Sequence, residues 1–462
     1  MRARSLFSRL KSHWVEAPGT ALLAGVAGVV AMSGAQAATI EEVVRLTLAS
    51  NPQIGIVASN REQIDEELRQ ARGLYLPQVD VAYGIGEEWT NNNTTRTAGT
   101  GTVSLLRQDL SATIKQRVFD GFETDSRVAR EKSRAVSAAR RVYENSEFLA
   151  LDAIGAYLEV VRQRELLTLS QDLVGVHERI LGQIQQRVRG GAGSNADVTQ
   201  TQARLTRARA TVAQTTNDLR DGEALYARIV GQYPDELKRP AVPAAALPAN
   251  LDAALEATRG GNPTTKIFEA DVDAAEAEVR IAEAPFYPQV NVEAETLHTN
   301  HANGVDAWAW DARVMLRLRL NLFRGGIDRA NRQEALAVVA EQKNRRYSAL
   351  LSANEETRRS HAALLASGER KRNLAESVQF NLATRDAYQQ QFTVAQRTLL
   401  DVLDAENEVF VARGQLVSAE FNEMRASYRL IAVTGTLLKT LGVQAPAQAN
   451  EQNETFADTM TK

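Results

Sequence analysis

The sequence of 462 residues contains no cysteine. Disulfides, thiolate metal sites and a lipid-modified N-terminal cysteine are therefore excluded. Histidine is scarce too, and of its five residues the pair His298-x-x-His301 could offer two nitrogens to a metal ion. No third ligand is evident nearby, so a solvated pair in a loop is the preferred interpretation. We predict no metal, no cofactor and no enzymatic activity.

The chain also lacks an excess of positive charge. It has 54 Lys and Arg residues against 57 Asp and Glu residues, a formal net charge of -3. This balance gives no reason to expect a nucleic-acid partner. Charged residues make up 24% of the chain, with both signs interleaved, and such a pattern is typical of long helices that face solvent.

Long hydrophobic runs are confined to the N-terminus. Basic residues between Arg2 and Lys11 precede an apolar run over 21–32, and Ala35-Gln36-Ala37 supplies small residues for cleavage. This order predicts a cleaved export signal over residues 1–37, whereas a transmembrane anchor would need a longer run. Beyond it, no stretch of about 18 uncharged apolar residues occurs. An exported chain without such a stretch is either soluble or enters a membrane as a β-barrel.

The remaining sequence is duplicated. The repeated motifs are Asn51-Pro52 with Asn262-Pro263, Leu76-Pro77-Gln78-Val79 with Tyr287-Pro288-Gln289-Val290, Phe119-Asp120-Gly121 with Phe323-Arg324-Gly325, and Ser194, Asp197 and Arg209 with Thr398, Asp401 and Arg413. The first two pairs are 211 residues apart and the others 204. We predict two structural repeats, 38–230 and 251–441. A Pro- and Ala-rich connector, 231–250, joins them, and a polar, disordered tail, 442–462, follows.

Each repeat is predicted to contain a helix, two strands, a long helix, a turn and a further helix. The period of the apolar residues changes from the helical value to two after each Pro-Gln-Val motif. In the first repeat the elements are helix 41–75, strands 78–89 and 102–119, and helices 122–189 and 197–230. In the second they are helix 252–286, strands 289–297 and 308–322, and helices 327–391 and 398–435.

The strand predicted over 308–322 has the clearest alternation in the sequence. Its apolar face begins with Trp308 and Trp310, as in the aromatic girdle of a membrane barrel. Trp89, which ends the strand predicted over 78–89, is assigned to the same interface. A half-buried strand of a soluble sandwich is the alternative, but about fifteen residues is long for a globular strand. The pattern therefore favours a membrane barrel.

The predicted barrel has too few strands in one chain. Four strands cannot close a barrel, because even the smallest membrane barrels need about eight. Open edges are not tolerated in lipid, so the strands must be pooled between subunits. The helix predicted over 122–189 would be roughly 100 Å long at 1.5 Å per residue. The predicted fold class is a mixed α/β membrane protein, in which a short barrel continues into a tall helical cylinder.

Together these features resemble the TolC family of outer-membrane channel-tunnels. The resemblance rests on the duplicated order of elements, the strand entries YLPQV and FYPQV, the corners FDG and FRG, and the turn QRTLLDVLDAENE, and it covers about Thr39 to Leu441. It implies a homotrimer whose pooled strands form one twelve-stranded barrel in outer-membrane lipid. It also implies a periplasmic helical tunnel closed at its tip, a periplasmic adaptor protein, and an inner-membrane ABC transporter or proton-driven pump.

The resemblance assigns roles to residues of the two helical turns. Asp401 and Asp404 correspond to acids that line the pore constriction. Arg397, Asp197 and Phe392 correspond to a network that holds the tip closed, although Phe392 lacks the hydroxyl of the usual tyrosine. Without the resemblance, two acids at a helix start would be ordinary complements of the helix dipole.

The predicted function is the exit duct of a tripartite export machine. Type I protein secretion is the first assignment, and efflux of drugs or other small molecules is the alternative. Adaptor docking is assigned to the two turns, at Gly193, Ser194, Asn195, Thr398 and Leu399. A soluble periplasmic coiled-coil protein would leave the tryptophan-led strand unexplained, and a passive porin would need no helical tunnel.

Overall fold

A computed structural model describes residues 37–452 of the chain. The predicted export signal, 1–37, therefore lies outside the described residues except for Ala37, and so does the last part of the predicted tail, 453–462. None of the described helices is both long and apolar enough to cross a membrane.

The described residues form long helices and one sheet. The helices are α1 (Ile40–Ser50), α2 (Pro52–Gly73), α3 (Asn93–Thr97), α4 (Glu123–Arg189), α5 (Asn195–Val230), α6 (Leu251–Gly261), α7 (Pro263–Glu283), α8 (Ile327–Thr393), α9 (Leu399–Val433) and α10 (Leu437–Thr440). The strands are β1 (Gln78–Thr90), β2 (Val103–Phe119), β3 (Gln289–Asn300) and β4 (Trp308–Arg319). Apart from the short α3 and α10, the second half repeats the element order of the first.

The sheet has one apolar and one polar face. Its strand order is β1-β2-β3-β4, and every neighbouring pair is antiparallel. One rung of the apolar face consists of Val79, Ile114, Ala294 and Val314. The next rung lies on the opposite face, because side chains alternate along a strand, and consists of Asp80, Thr113, Glu295 and Arg313. An ion pair of 2.7 Å joins Arg313 Nη2 to Glu295 Oε2 on this polar face.

The long helices are arranged in two stacked four-helix layers that share α4 and α8. The order across the layer next to the sheet is α2-α4-α7-α8, and across the far layer it is α5-α4-α9-α8. The main hydrophobic core lies where the layers meet, and there α1 and α10 pack against α4 and α9. Tyr157, Tyr226 and Ile431 are fully buried in this core. The turns α4–α5 and α8–α9 lie at the end remote from the sheet.

An Asn-Pro joint ends the first helix of each repeat. Asn51 Oδ1 accepts a hydrogen bond from the backbone N–H of Gln53 (2.9 Å), and Asn51 Nδ2 donates to the carbonyl of Ile229 (2.8 Å). Asn262 makes the equivalent two bonds, each of 3.0 Å, to the start of α7 and the end of α9. Each asparagine thus caps one helix and anchors the last turn of the final helix in its own repeat.

Several predicted helices differ from the structure, and those predicted over 327–391 and 398–435 are Ile327–Thr393 and Leu399–Val433. The helix predicted over 41–75, with a break at Pro52, is two helices, α1 and α2. The helix predicted over 252–286 is also two helices, because the proline of the joint has no N–H with which to continue the preceding helix. The helix predicted over 197–230 begins at Asn195. It starts two residues earlier than predicted because Ser194 is its N-cap, with its hydroxyl accepting from the second residue of the helix.

Two predicted strands also differ. The strand predicted over 289–297 continues to Asn300, because it pairs with β4 along its whole length. The strand predicted over 308–322 ends at Arg319, whose partner Gln289 is the first residue of β3. The alternation of apolar residues continues beyond Arg319, but no neighbouring strand is left to pair with it.

The tail predicted to be disordered, 442–462, is ordered over its described part. Val443 is buried in the main core, and Arg140 Nε lies 2.8 Å from Glu451 Oε1. The polar composition of the tail did not indicate these partners, which lie on α4 and in a core formed by distant parts of the chain.

Replacing Asn262 by alanine should destabilise each protomer by roughly 1–2 kcal/mol, because both an N-cap and a bond to the end of α9 are lost. Thermal unfolding of the detergent-solubilised protein would measure this as a lower midpoint. Asn51→Ala should behave alike, since Asn51 makes the equivalent bonds. Asn373→Ala, in the exposed middle of α8, is the control. A midpoint for Asn262→Ala equal to that of the control would contradict the stabilising role of the Asn-Pro joint.

Candidate functional site

The two hairpin turns are capped differently. In the α8–α9 turn, Thr398 and Asp401 form a capping box: Asp401 Oδ2 accepts from Thr398 N (3.1 Å) and Thr398 Oγ1 (2.8 Å), while Thr398 Oγ1 accepts from Asp401 N (3.4 Å). In the α4–α5 turn, Ser194 Oγ accepts from Ala196 N (3.1 Å), and Asp197 takes no part in the cap. The shared S/T-x-x-D sequence therefore has one geometry in the second turn and another in the first.

A small apolar cluster joins the two hairpins near their turns. It contains the buried residues Ile180 and Ile184 of α4 and Leu399 and Leu403 of α9. We call these four residues the tip cluster. Phe392, at the end of α8, packs against it, and the Arg187 guanidinium lies 4.6 Å from the centre of the Phe392 ring. Phe392 thus takes part in a cation–π contact with the first hairpin.

Leu399 differs from the other residues assigned to adaptor docking. Its side chain is only 4% exposed, because it belongs to the tip cluster. Gly193, Ser194, Asn195 and Thr398 are exposed. The large apolar side chains that are exposed at the α8–α9 turn are those of Val394 and, next to Leu399, Leu400. Leu399 therefore stabilises the tip and does not present its side chain to a partner.

Asp401 is held within its own hairpin. Its partners are Thr398 and, at 3.7 Å between Arg397 Nη1 and Asp401 Oδ1, Arg397. The hydrogen bond from the Thr398 hydroxyl is the largest cause of a lowered pKa of Asp401, and the charge of Arg397 acts in the same direction. Asp401 is therefore a carboxylate at neutral pH.

Arg397 is also bound locally. Its guanidinium lies 4.3 Å from the centre of the Tyr388 ring, and Arg397 Nε donates to Gln391 Oε1 (3.2 Å). Tyr388 and Gln391 belong to α8, the helix that precedes the turn. Arg397 thus stacks on an aromatic ring one turn before Phe392, and these contacts and its pair with Asp401 all lie within the second hairpin.

Asp404 is bound across the hairpins. Arg204 Nη2, on α5, lies 2.7 Å from Asp404 Oδ1, on α9, and 54% of the Asp404 side chain is exposed. Reasoning from the sequence missed Arg204. No local signal could have identified it, because the two residues are 200 positions apart on helices of different repeats.

Asp197, the remaining residue assigned to the closure network, is not joined to Arg397. None of the residues that the structure describes forms an ion pair with the Asp197 carboxylate, and its backbone carbonyl accepts from Thr201 Oγ1 (2.8 Å). The direct contacts between hairpins at the tip are instead the Arg204–Asp404 pair, the Arg187–Phe392 contact and the tip cluster.

The three tryptophans assigned to the membrane interface lie at the loop end of the sheet on its apolar face. Trp308 and Trp310 are in the first rungs of β4, Trp89 is near the end of β1, and all three side chains are exposed. His298 stacks on Trp308, with 6.0 Å between the ring centres. His301 is paired with Asp306 (2.9 Å). Within residues 37–452 no group of three metal-ligating side chains occurs.

Comparison with known proteins gives one family and one fold. The family model described as "Outer membrane efflux protein" matches residues 43–232 and 254–436. Similar proteins are "Outer membrane efflux protein BepC" of Brucella suis biovar 1, 26% identical over 84% of this chain and 84% of that protein, and "Outer membrane protein TolC" of Escherichia coli, 24% identical over 87% and 83%. "Proteases secretion protein PrtF" of Dickeya chrysanthemi is 23% identical over 88% and 91%.

A solved structure shares the fold. The outer membrane protein VceC of Vibrio cholerae superposes with a TM-score of 0.72 at 18% identity, over 86% of this chain and 96% of that one. The predicted fold class is thereby confirmed: a duplicated mixed α/β membrane-protein fold, in which a four-stranded sheet continues into a long helical part.

Proposed function

The chain belongs to the outer membrane efflux protein family, and we propose that it is the exit duct of a tripartite export machine. Membership confirms the predicted resemblance to the TolC family and the predicted outer-membrane location. The relatives are named as outer membrane, efflux and secretion proteins, so the chain is a channel component and not an enzyme.

The free edges of the sheet support assembly as a homotrimer. β1 and β4 are the edge strands, and the strands alternate in direction. Because each chain supplies an even number of strands, β4 of one copy can pair with β1 of the next in the same antiparallel manner. Three copies would close a barrel of twelve strands, which removes every edge that lipid would leave unpaired.

The outer flank of α8 supports the same assembly. Five of its exposed large apolar side chains fall near one line along the helix, since their spacings are close to whole turns: Leu336, Tyr347, Leu351, Leu365 and Phe380. Two others, Ile327 and Val338, lie on the other side of the helix. The buried residues of α8, such as Ala353 and Thr357, lie on a different face. A neighbouring copy is the partner that would cover this line of side chains.

Native mass measurement of the detergent-purified protein tests the assembly. We expect a trimer, and Leu351→Glu with Leu365→Glu should shift it toward monomer, because two carboxylates would be buried without partners. Glu334→Lys, an exposed change on α8, controls for altered charge. A water-soluble, monodisperse monomer of the unaltered chain would contradict the proposal.

We assign the pore constriction to Asp401 and Asp404 and the closure contacts to Arg397, Phe392 and Asp197, together with Arg204. The support for Asp404 is its half-exposed carboxylate beside a cation of the other hairpin. Opening would require the two hairpins of a protomer to separate, and the Arg204–Asp404 pair lies directly across that division.

We assign adaptor docking to the exposed residues of the two turns. A photo-crosslinking residue at Ser194 or Thr398 should capture a periplasmic adaptor in cells, because both turns project from the end remote from the sheet. The same residue at Asp252, which is exposed at the start of α6, is the control. Equal capture from the control and the turns, or none from the turns, would place docking elsewhere.

We propose polypeptide secretion of type I as the cargo pathway. The support is PrtF, named for secretion of proteases, which matches over nearly its whole length. Small-molecule efflux is the second candidate, favoured by the name of BepC. Deleting the gene and comparing secreted protein with sensitivity to toxic compounds would separate them. The inner-membrane partner, an ABC transporter or a proton-driven pump, would be identified by co-purification with the cross-linked adaptor.

A further inference from the structure

A cleft of about 1100 Å³ lies across the far four-helix layer, close to the main core. One face of each of α4, α5, α8 and α9 lines it. The lining residues of α4 and α5 follow helical spacing, with Phe148 and Asp152 on α4 and Asp218, Asp221 and Leu225 on α5. Side chains three or four positions apart share a helix face, so each helix presents a carboxylate and an apolar group side by side.

The cleft faces away from the outer elements of the core. Tyr157 donates to the carbonyl of Ala38 (2.8 Å), just before α1. Phe148 is nine residues before Tyr157, which is two and a half turns of helix, so the two side chains lie on opposite sides of α4. In the proposed trimer, we assign the side opposite α1 to the wall of the tunnel. The inference below rests on that proposed function.

Apolar side chains are unusually exposed on this wall. Phe148 is 48% exposed and Leu225 is 40% exposed. Both lie in the cleft, where neither packs into the main core. An exposed aromatic ring and an exposed aliphatic side chain in a concave site can cover the apolar part of a ligand.

Among the acids of the same wall, Glu159 pairs with Arg162 and, at 3.5 Å, with Arg425, and the charge of Arg228 acts on Asp152. None of the described residues forms an ion pair with Asp152, Asp218 or Asp221. Asp218 and Asp221 accept only from amides one turn earlier in α5, Gln214 (2.7 Å) and Asn217 (3.1 Å). On the opposite wall, Arg429 Nε lies 2.6 Å from Glu356 Oε1. Negative charge and exposed apolar surface are therefore combined on the α4–α5 side.

We propose that the α4–α5 wall of this cleft binds small aromatic cations as they pass through the tunnel, which places them within the second candidate cargo, small molecules. The carboxylates of Asp218 and Asp221 attract the cationic group, and Phe148 with Leu225 covers the ring, with a cation–π contribution from Phe148. Neither a simple inorganic cation nor an aromatic anion can use both parts of the site. Binding is weak because the cleft is open and water screens its charges, which suits a wall that must release its cargo.

Single-channel recording with benzyltrimethylammonium tests the site, and benzenesulfonate at equal ionic strength is the anionic counterpart. The background is Asp401→Asn with Asp404→Asn, so that acids at the turns cannot account for block. We expect saturable reduction of the current by the cation only. Asp218→Asn with Asp221→Asn should raise the half-blocking concentration by roughly tenfold. A tenfold change in affinity is what the loss of one modest interaction with the ligand produces.

Two further variants separate the site from general electrostatics. Phe148→Ala with Leu225→Ala should also weaken block by benzyltrimethylammonium while leaving the preference for K⁺ over Cl⁻ unchanged. Asp252→Asn with Glu256→Gln, which removes two exposed acids from α6, should leave block unchanged. Equal half-blocking concentrations in the α5 acid variant and this control, or equal block by benzenesulfonate, would overturn the inference.

The inference and the proposed function can fail separately. If the protein conducts as a trimer but shows no selective block, the proposed duct function stands and the proposed cleft site is refuted. If no channel forms, calorimetric titration of benzyltrimethylammonium into the detergent-purified protein, with the same variants, still measures the cleft. Absence of acid-dependent binding there would also overturn it.

Discussion

Replacing Asp401 and Asp404 together by alanine should remove most of the preference of the channel for cations. In the proposed trimer, six carboxylates surround one axis near the tip, and like charges at close range attract cations strongly. Without them, the reversal potential in a salt gradient should move toward zero. Block by multivalent cations should weaken by about tenfold or more, since such ions gain most from several nearby carboxylates.

The Arg204–Asp404 pair adds to the expected loss of cation selectivity. Asp404 is the partner of Arg204, so its removal leaves the Arg204 guanidinium without that carboxylate and adds uncompensated positive charge at the tip. The double variant should therefore lose more selectivity than Asp401→Ala alone. Glu408→Gln, an exposed change one turn further along α9, is the matched control. Unchanged selectivity in the double variant would mean that these acids only complement the start of α9.

Replacing Arg204 by alanine should open the tip and raise single-channel conductance. An exposed ion pair contributes up to about 1 kcal/mol, and the proposed trimer contains three copies of the Arg204–Asp404 pair. If the protomers open together, the three pairs contribute at most about 3 kcal/mol, which changes the ratio of closed to open channels by up to about 100-fold. The measurement is the distribution of conductance levels in planar bilayers.

Arg397→Ala should have a smaller effect than Arg204→Ala. The sequence resemblance assigned closure to Arg397, but its contacts with Tyr388, Gln391 and Asp401 are all within the second hairpin. Breaking them loosens the α8–α9 turn without removing a direct bond between hairpins. If Arg397→Ala opens the channel and Arg204→Ala does not, closure depends on contacts between protomers and not on the pair seen within one chain.

A double-variant cycle assigns the effect to the pair itself. Arg204→Ala and Asp404→Ala should be strongly non-additive in conductance, because each alone already removes the same bond. Arg209→Ala is the control, since Arg209 forms an exposed pair of 2.8 Å with Glu178 inside the first hairpin. Additive effects of Arg204 and Asp404 would show that the two residues influence opening independently.

The sequence by itself determined the repeated architecture. The Asn-Pro and Pro-Gln-Val motifs recur at fixed offsets, and the change of apolar period from the helical value to two marks where helix gives way to strand. These signals are local, because backbone conformation and the alternation of side chains depend on neighbouring residues. For the same reason the capping box at Thr398 could be predicted, since hydroxyl and carboxylate both act within one helical turn.

Only the tertiary structure decided which side chains meet. Arg204 reaches Asp404, Leu399 is buried, the tail carrying Val443 is held in the core, and β4 ends where its partner begins. Each of these depends on helices and strands that are distant in sequence and are brought together by packing. Periodicity identifies the apolar face of a helix. It does not identify the helix that covers this face or the charged residue that lies opposite, and the contacts across the tip therefore could not be predicted from the sequence.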